Sequence, residues 1–219
     1  MGLAKETAHQ LGTPISSLLA WVELIRTRFD AEDDPLLVEM GNDIRRLEII
    51  TDRFSKIGSK PVLEDHVVYH VVQNYIAYFK VRSPEKINFI VMGDHQVRAL
   101  LCVPLFDWVI ENLLKNAVNA IEQQGTITVN IIEHLAKEEV YIDVSDTGRG
   151  IPGSKFDTVF QPGYTTRKRG WGLGLSLTRR IVENYHNGKI FVKESETGKG
   201  TTFRIILKSS LTYEPTTNT

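Results

Sequence analysis

From Ala4 to Phe29 apolar residues recur at positions 4, 8, 11, 15, 18, 22, 25 and 29, in alternating steps of four and three. That spacing is a heptad seam on one face of a helix. The acidic run Asp30-Ala31-Glu32-Asp33-Asp34 and Pro35 end this segment and open a second. There Leu37, Met40, Ile44, Leu47, Phe54 and Ile57 repeat the pattern until Gly58 and Pro61 stop it. Residues 1–60 are therefore predicted to form a helical hairpin. Two helices cannot enclose so long a seam on both sides, so a second copy is expected to complete a four-helix bundle, a homodimer through residues 1–60.

After Pro61 the period changes, and residues 61–208 read as a second domain. Val68, Val71, Val72, Tyr75 and Phe79 mark a helix, INFIV and VRALL are short strand-like runs, and a long helix is predicted from about Pro104 to Ile121. ITVNII and VYIDVSD alternate apolar and polar positions as half-buried strands do. A glycine-rich stretch follows over 147–174, then a helix to about His186, and KIFVKE and TTFRIIL close the sheet. Helices and strands mix without regular βαβ alternation, which predicts an α+β chain whose second part is an α/β two-layer sandwich. Residues 209–219, ending in the polar, threonine-rich SLTYEPTTNT, are read as a disordered tail.

Composition narrows the setting. The net charge of −1, with both signs interspersed, gives no electrostatic case for nucleic acid, and no lysine/arginine block suggests a membrane surface. The longest apolar runs fall far short of a span, and MGLAKET has neither the order of a secretory signal nor, with Glu6, the residue a myristoylation signal needs. The single cysteine, Cys102, rules out an internal disulfide and fits a reducing, cytoplasmic setting. Nothing resembling a sensory region precedes the hairpin, so the chain is expected to be a fragment of a protein whose remainder, including any membrane anchor, lies elsewhere.

Candidate chemistry begins at AHQLGTPISSL, residues 8–18. On the heptad His9 falls just outside the seam, where an imidazole meets solvent. Gly12 and Pro14 in the same helix cost roughly 1 and 3 kcal/mol relative to alanine, so a local bend or partial unwinding beside His9 is expected. Thr13, four residues on, shares the histidine's face. Read alone, His9 suits a surface histidine on a kinked helix at least as well. In ENLLKNAVNAI, Asn112, Lys115, Asn116 and Asn119 occupy one face opposite Val109, Leu113, Ala117 and Ile121. Asparagines are poor helix formers there, but their carboxamide oxygens can ligate Mg²⁺, and Lys115 supplies a cation for a phosphate; taken alone, the stripe also reads as an unusual solvated face. In DTGRGI, Asp146 can accept a hydrogen bond from an exocyclic amine while Gly148 and Gly150 let backbone approach a flat base. RGWGLGLSL sets Gly170, Gly172 and Gly174 at a helix start, where free N–H groups favour phosphate. The long loop between them, ending in Arg167, Lys168 and Arg169, reads as a lid or as a basic surface loop. GxxxxGK[ST] does not occur, so this is not a P-loop protein.

Together these stretches resemble the catalytic core of the sensor histidine kinases of two-component systems. AHQLGTPISSL is similar to that family's phosphoacceptor box, ENLLKNAVNAI to its N box, DTGRGIP to its G1 box, VFQPGYTT to its F box and RGWGLGLSL to its G2 box. The resemblance implies a dimerisation and histidine-phosphotransfer hairpin joined to the ATP-binding fold shared with gyrase B. It makes His9 the acceptor of the γ-phosphoryl of ATP, Gln10 its neighbour in the catalytic set, and Thr13 the residue that orients the water removing the phosphoryl group. It assigns nucleotide contacts to Asn112, Lys115, Asn116 and Asn119, to Asp146, Gly148, Gly150 and Ile151, and to Phe160, Thr165, Thr166, Arg167 and Lys168. Gly170, Gly172, Leu173, Gly174, Leu175 and Thr202 complete that set, with Asn116 holding Mg²⁺. The implied partner is a response-regulator receiver domain whose aspartate takes the phosphoryl group, with phosphatase activity toward it. Gln10 departs from the family, which carries Glu or Asp there, as do Asn119, Ala120 and Trp171. A glutamine cannot act as a base, although it can orient the ring, and Glu6 lies one turn back. Two other readings stand beside the kinase, an ATP hydrolase of the related fold and a degenerate scaffold. Asn112, where hydrolases carry a glutamate, disfavours the first; Gln10 is the support for the second.

Overall fold

The computed structural model describes residues 2–57, 61–165 and 172–210, with side chains for all of these except 2–11, 46, 49–50 and 52–57. The chain divides into two compact units, Met1–Pro61 and Val62–Thr219.

The first unit is a hairpin of α1 (Gly2–Arg28) and α2 (Pro35–Ile57). Its turn is built from local bonds. Asp30 adopts a left-handed φ of 51°, the Arg26 guanidinium binds the Glu32 carbonyl, and Asp34 Oδ1 caps α2 by accepting from the Leu36 N–H at 2.8 Å. Ile15, Val22 and Ile44 form a small buried cluster with Leu19 packed against it, and Gly41 sits opposite Val22. Among the described seam residues Leu18, Ile25, Phe29, Met40 and Leu47 are exposed, and so are Trp21 and Leu24 beside the seam. Helix α1 runs through Gly12 and Pro14 with no interruption, so the unwinding expected beside His9 is not present. The helix tolerates the proline because only one N–H and the clash with the preceding turn are at stake within a 27-residue element.

The second unit is a two-layer α/β sandwich. Strand β1 (Glu64–Val67), α3 (Val68–Lys80), β2 (Ile87–Gly93), β3 (Arg98–Leu101) and α4 (Val103–Ala120) come first; β4 (Gly125–His134), β5 (Glu139–Asp146), α5 (Gly174–Arg180), β6 (Lys189–Glu196) and β7 (Gly200–Lys208) follow. The main sheet has the order β2-β4-β5-β7-β6, antiparallel except for the parallel β2–β4 pair, which α4 bridges as a crossover. Strand alternation turns Ile127, Val129 and Ile131, then Val140, Ile142 and Val144, then Phe203, Ile205 and Leu207 into one layer, which α4 covers with Leu105, Phe106, Val109, Leu113 and Leu114.

Three features differ from the sequence reading. Glu64–Val67 has no strand pattern but pairs antiparallel with Arg98–Leu101, so its conformation is imposed by the partner strand. The last helix is α-helical only to Arg180 and continues as a π-helical turn over Ile181–Tyr185. His186 closes it from both sides: its Nδ1 hydrogen donates to the Ile181 carbonyl at 3.0 Å, and its Nε2 accepts from the Cys102 N–H at 3.2 Å. Finally, the expected tail begins two residues too early. Ser209 is buried, bridges to Ala99 and donates its N–H to the Glu138 carbonyl, and Ser210 binds Asp65, because the sheet edge offers them partners. Residues 211–219 lie outside the described residues.

Candidate functional site

Helix α4 presents its asparagine face where the sequence pattern puts it, but the stripe is graded. Asn112 and Asn116 are half-buried while Lys115 and Asn119 are exposed. Asn112 lies against α5: its Nδ2 donates to Thr178 Oγ1 at 3.2 Å and to the Gly174 carbonyl at 3.4 Å. Asn119 turns its Nδ2 back onto the Lys115 carbonyl. Lys115 pairs with Glu111 at 2.5 Å, and with the lysine side chain 56% exposed such an i,i+4 pair is worth only about 0.3–0.5 kcal/mol, too little to hold Lys115 away from an anion.

At the end of β5, Asp146 is buried, with 9% of its surface exposed. Burial pushes its carboxyl up to about 6, and only hydrogen bonds from the backbone of Gly148 (2.8 Å) and Thr201 oppose it. Two donors leave a carboxylate with acceptor capacity to spare. A ligand N–H reaching Asp146 would restore part of what burial took from it, so the residue fits an exocyclic amine. The turn that follows is clamped to α4 by the Arg149 N–H on the Ala120 carbonyl at 3.0 Å. Gly148 presses on that helix end, where a Cβ would come within 2.6 Å of Ala120 Cβ, and Gly150 (φ 74°) presses on the Glu196 carbonyl. The two glycines are thus required by chain packing, a different reason from the open approach to a base read in the sequence. Ile151, half-buried, donates its N–H to Ser195 Oγ at 2.7 Å.

Phe160 is buried edge-on to Phe203, with the Arg179 guanidinium 4.1 Å from its ring centre, and so ties the turn after Gly150 to α5. Thr165 is exposed. Thr166, Arg167, Lys168, Gly170 and Trp171 lie outside the described residues. Beyond them Gly172 (φ 64°) accepts the Gly163 N–H at 3.0 Å in a contact too close for any Cβ. Leu173, exposed, and Gly174 and Leu175 then lead into α5, where the first N–H groups have no preceding turn to bind.

Thr202 stands apart from this group. Alternation along β7 directs its hydroxyl to Ser145, at 2.9 Å, while Thr201 is the register partner of Asp146. The expectation for Thr202 is therefore corrected to its neighbour, since one residue along a strand exchanges the faces. Sequence reasoning also missed Thr178, although a hydroxyl at helical spacing between Leu175 and Val182 was a visible signal. In the first unit, Thr13 is exposed and lines a surface depression with Gly12, Ser16, Ser17 and Ala20. His9 and Gln10 belong to α1, and their side chains lie outside the described ones.

Helix α4 thus carries both neighbours of its asparagine face, the glycine entry to α5 bound at Asn112 and the turn that follows the buried Asp146 packed at Ala120. As a donor set for Mg²⁺, neutral carboxamide oxygens on one helix face fit a cation that keeps several waters and binds beside substrate phosphates.

Residues 104–211 match the family of histidine kinase-, DNA gyrase B- and HSP90-like ATPases. Relatives that match nearly the whole chain are named sensor histidine kinases. Over 94% of its length it is 32% identical to the sensor histidine kinase ZraS of Salmonella typhi, of which it covers 45%. Its fold is similar to that of full-length ShkA in complex with AMPPNP, with a TM-score of 0.75 and 18% identity over 94% of this chain and 45% of that one. It is also similar to the histidine kinase ThkA in complex with the response regulator protein TrrA, with a TM-score of 0.60 and 23% identity over 93% of this chain and 61% of that one. The chain spans less than half the length of the curated relatives it matches.

Proposed function

We propose that this chain is the core of an ATP-dependent protein-histidine kinase that phosphorylates its own His9 and passes the phosphoryl group to an aspartate of a response-regulator receiver domain. The observation that carries this reading is the convergence of Asp146, the Asn112–Asn116 face and the α5 entry in one unit, with a histidine-bearing helix in the other. Asp146 would accept the adenine amine. Asn116, with Asn112 one turn before it, would hold Mg²⁺, whose contribution is to neutralise charge on the phosphates. Lys115, Arg167 and Lys168 would meet the phosphates from the side, and Gly172 to Leu175 would offer backbone N–H groups.

In the transfer itself a neutral imidazole nitrogen of His9 attacks the γ-phosphorus in line, the bond to the β,γ-bridging oxygen breaks and ADP leaves. The ring proton must be lost, and because Gln10 cannot take it, Glu6 is the candidate base. Thr13 would orient water when the phosphoryl group is removed from the regulator. The exposed apolar face of the hairpin supports a homodimer through residues 1–60. Labelled ATP should mark the protein in an acid-labile, alkali-stable form that His9→Ala abolishes; label persisting in that variant would refute the assignment. The hydrolase alternative is disfavoured by Asn112, whose amide stands where the related hydrolases carry a glutamate and cannot take a proton from water.

A further inference from the structure

Which end of the Asn112 carboxamide faces the nucleotide decides whether it can ligate a cation, because the oxygen accepts and the amine only donates. The two ends are nearly the same size, so a polar partner has to choose between them. The choice is made by α5. Thr178 Oγ1 donates its hydrogen to the Gly174 carbonyl at 2.9 Å, the back-bond to residue i−4 that hydroxyls make inside helices. That leaves the Thr178 oxygen with lone pairs only, and it accepts from Asn112 Nδ2 at 3.2 Å; the Gly174 carbonyl, an acceptor as well, lies 3.4 Å from the same nitrogen. Every polar group that α5 turns toward Asn112 is thus an acceptor. The amide is held with its amine on α5 and its Oδ1 beside the open side of Gly174, where even a Cβ would lie 3.7 Å away.

Thr178 is fully buried, between Leu177 and Arg179 and one turn before Val182. Burying a hydroxyl is costly unless it is bonded, and here both its donor and its acceptor roles are used. An aliphatic residue would fill the space as well and would leave Asn112 free to turn over.

We infer that Thr178 is a positioning residue for the magnesium-nucleotide site: its hydroxyl, itself oriented by Gly174, sets the Asn112 oxygen toward the cation. This rests on the kinase reading, in that it takes ATP with Mg²⁺ as the ligand. The role is indirect, since Thr178 touches neither ligand, and it belongs to the class of outer partners whose loss costs about 10–100-fold in metal affinity.

The test is calorimetric titration of ATP, with and without Mg²⁺, into the whole chain as wild type, Thr178→Val and Thr178→Ser. The expected result is that Thr178→Val binds metal-free ATP as wild type does, loses about 10–100-fold of the enhancement that Mg²⁺ brings, and that Thr178→Ser restores it. An undiminished magnesium enhancement in Thr178→Val would overturn the inference, as would an equal loss in both conditions, which marks a merely structural role. Should valine not be accommodated, as judged by a thermal melt, Thr178→Ala removes the same hydroxyl without adding volume and reads the same way. Failure of the kinase reading is told apart by the wild type: no ATP uptake in either condition overturns that reading and the inference with it.

Discussion

Asp146 carries an opposition between stability and binding within one carboxyl group. Its ordinary value is 3.8, and burial raises it to about 6 in the folded chain. The folded state therefore holds a proton more tightly than the unfolded one, and the stability this brings is complete below 3.8 and lost as pH rises through 6. At neutral pH the bare carboxylate is a burden of up to about 3 kcal/mol. Asp146→Asn should lift it, raising Tm by several degrees at pH 7.5, while lowering ATP affinity by about 10–100-fold through loss of a charged hydrogen bond. In the wild type, ATP affinity should fall as pH drops below 6, where the acceptor becomes protonated. A variant with unchanged melting and unchanged affinity would remove Asp146 from the site.

Among the elements, α4 and α5 depend on a joint that the sequence did not announce. His186 ends the π-helical turn of one and holds the start of the other through the Cys102 N–H. Burial lowers its proton affinity, and protonation of Nε2 would take away the acceptor that Cys102 uses. As pH falls through 6.5 the unfolded chain takes up a proton that the folded chain resists, so this contribution is present above 6.5 and lost below it. His186→Gln should cost about 1–2 kcal/mol at pH 8 through the broken bonds, and the gap from wild type should shrink at pH 5.5. Chemical denaturation at the two pH values measures this, and an identical gap at both would dismiss the joint as pH-sensitive.

For the whole molecule the decisive quantity is apolar surface without a cover. The hairpin buries Ile15, Val22 and Ile44 but leaves Trp21 62% and Phe29 70% exposed, together with Leu18, Leu24 and Leu47. In the proposed homodimer this wide apolar face would be the association surface. Replacing both Trp21 and Leu24 with lysine should convert a dimer into a monomer in analytical ultracentrifugation. The ATP affinity of the second unit, which has its own core, should be unchanged. A wild type that sediments as a monomer at micromolar concentration would exclude the homodimer.

The sequence by itself determined what depends on neighbours along the chain. The heptad spacing from Ala4 to Phe29 specified α1, the alternation in VYIDVSD specified β5, and the glycines in RGWGLGLSL set the entry to α5. The period of a helix or strand is a property of local backbone geometry, and so are turns and caps. The candidate residues of the second unit were legible for the same reason, as motifs in order. Only the tertiary structure decided which half of the hairpin's apolar stripe is interior and that EDHV becomes a strand against RALL. It also decided that Thr201, and not Thr202, meets Asp146, and that a threonine 66 residues from Asn112 turns its amide. Burial, proton affinity and the orientation of a carboxamide are set by groups brought near by folding, and residue spacing carries no record of them.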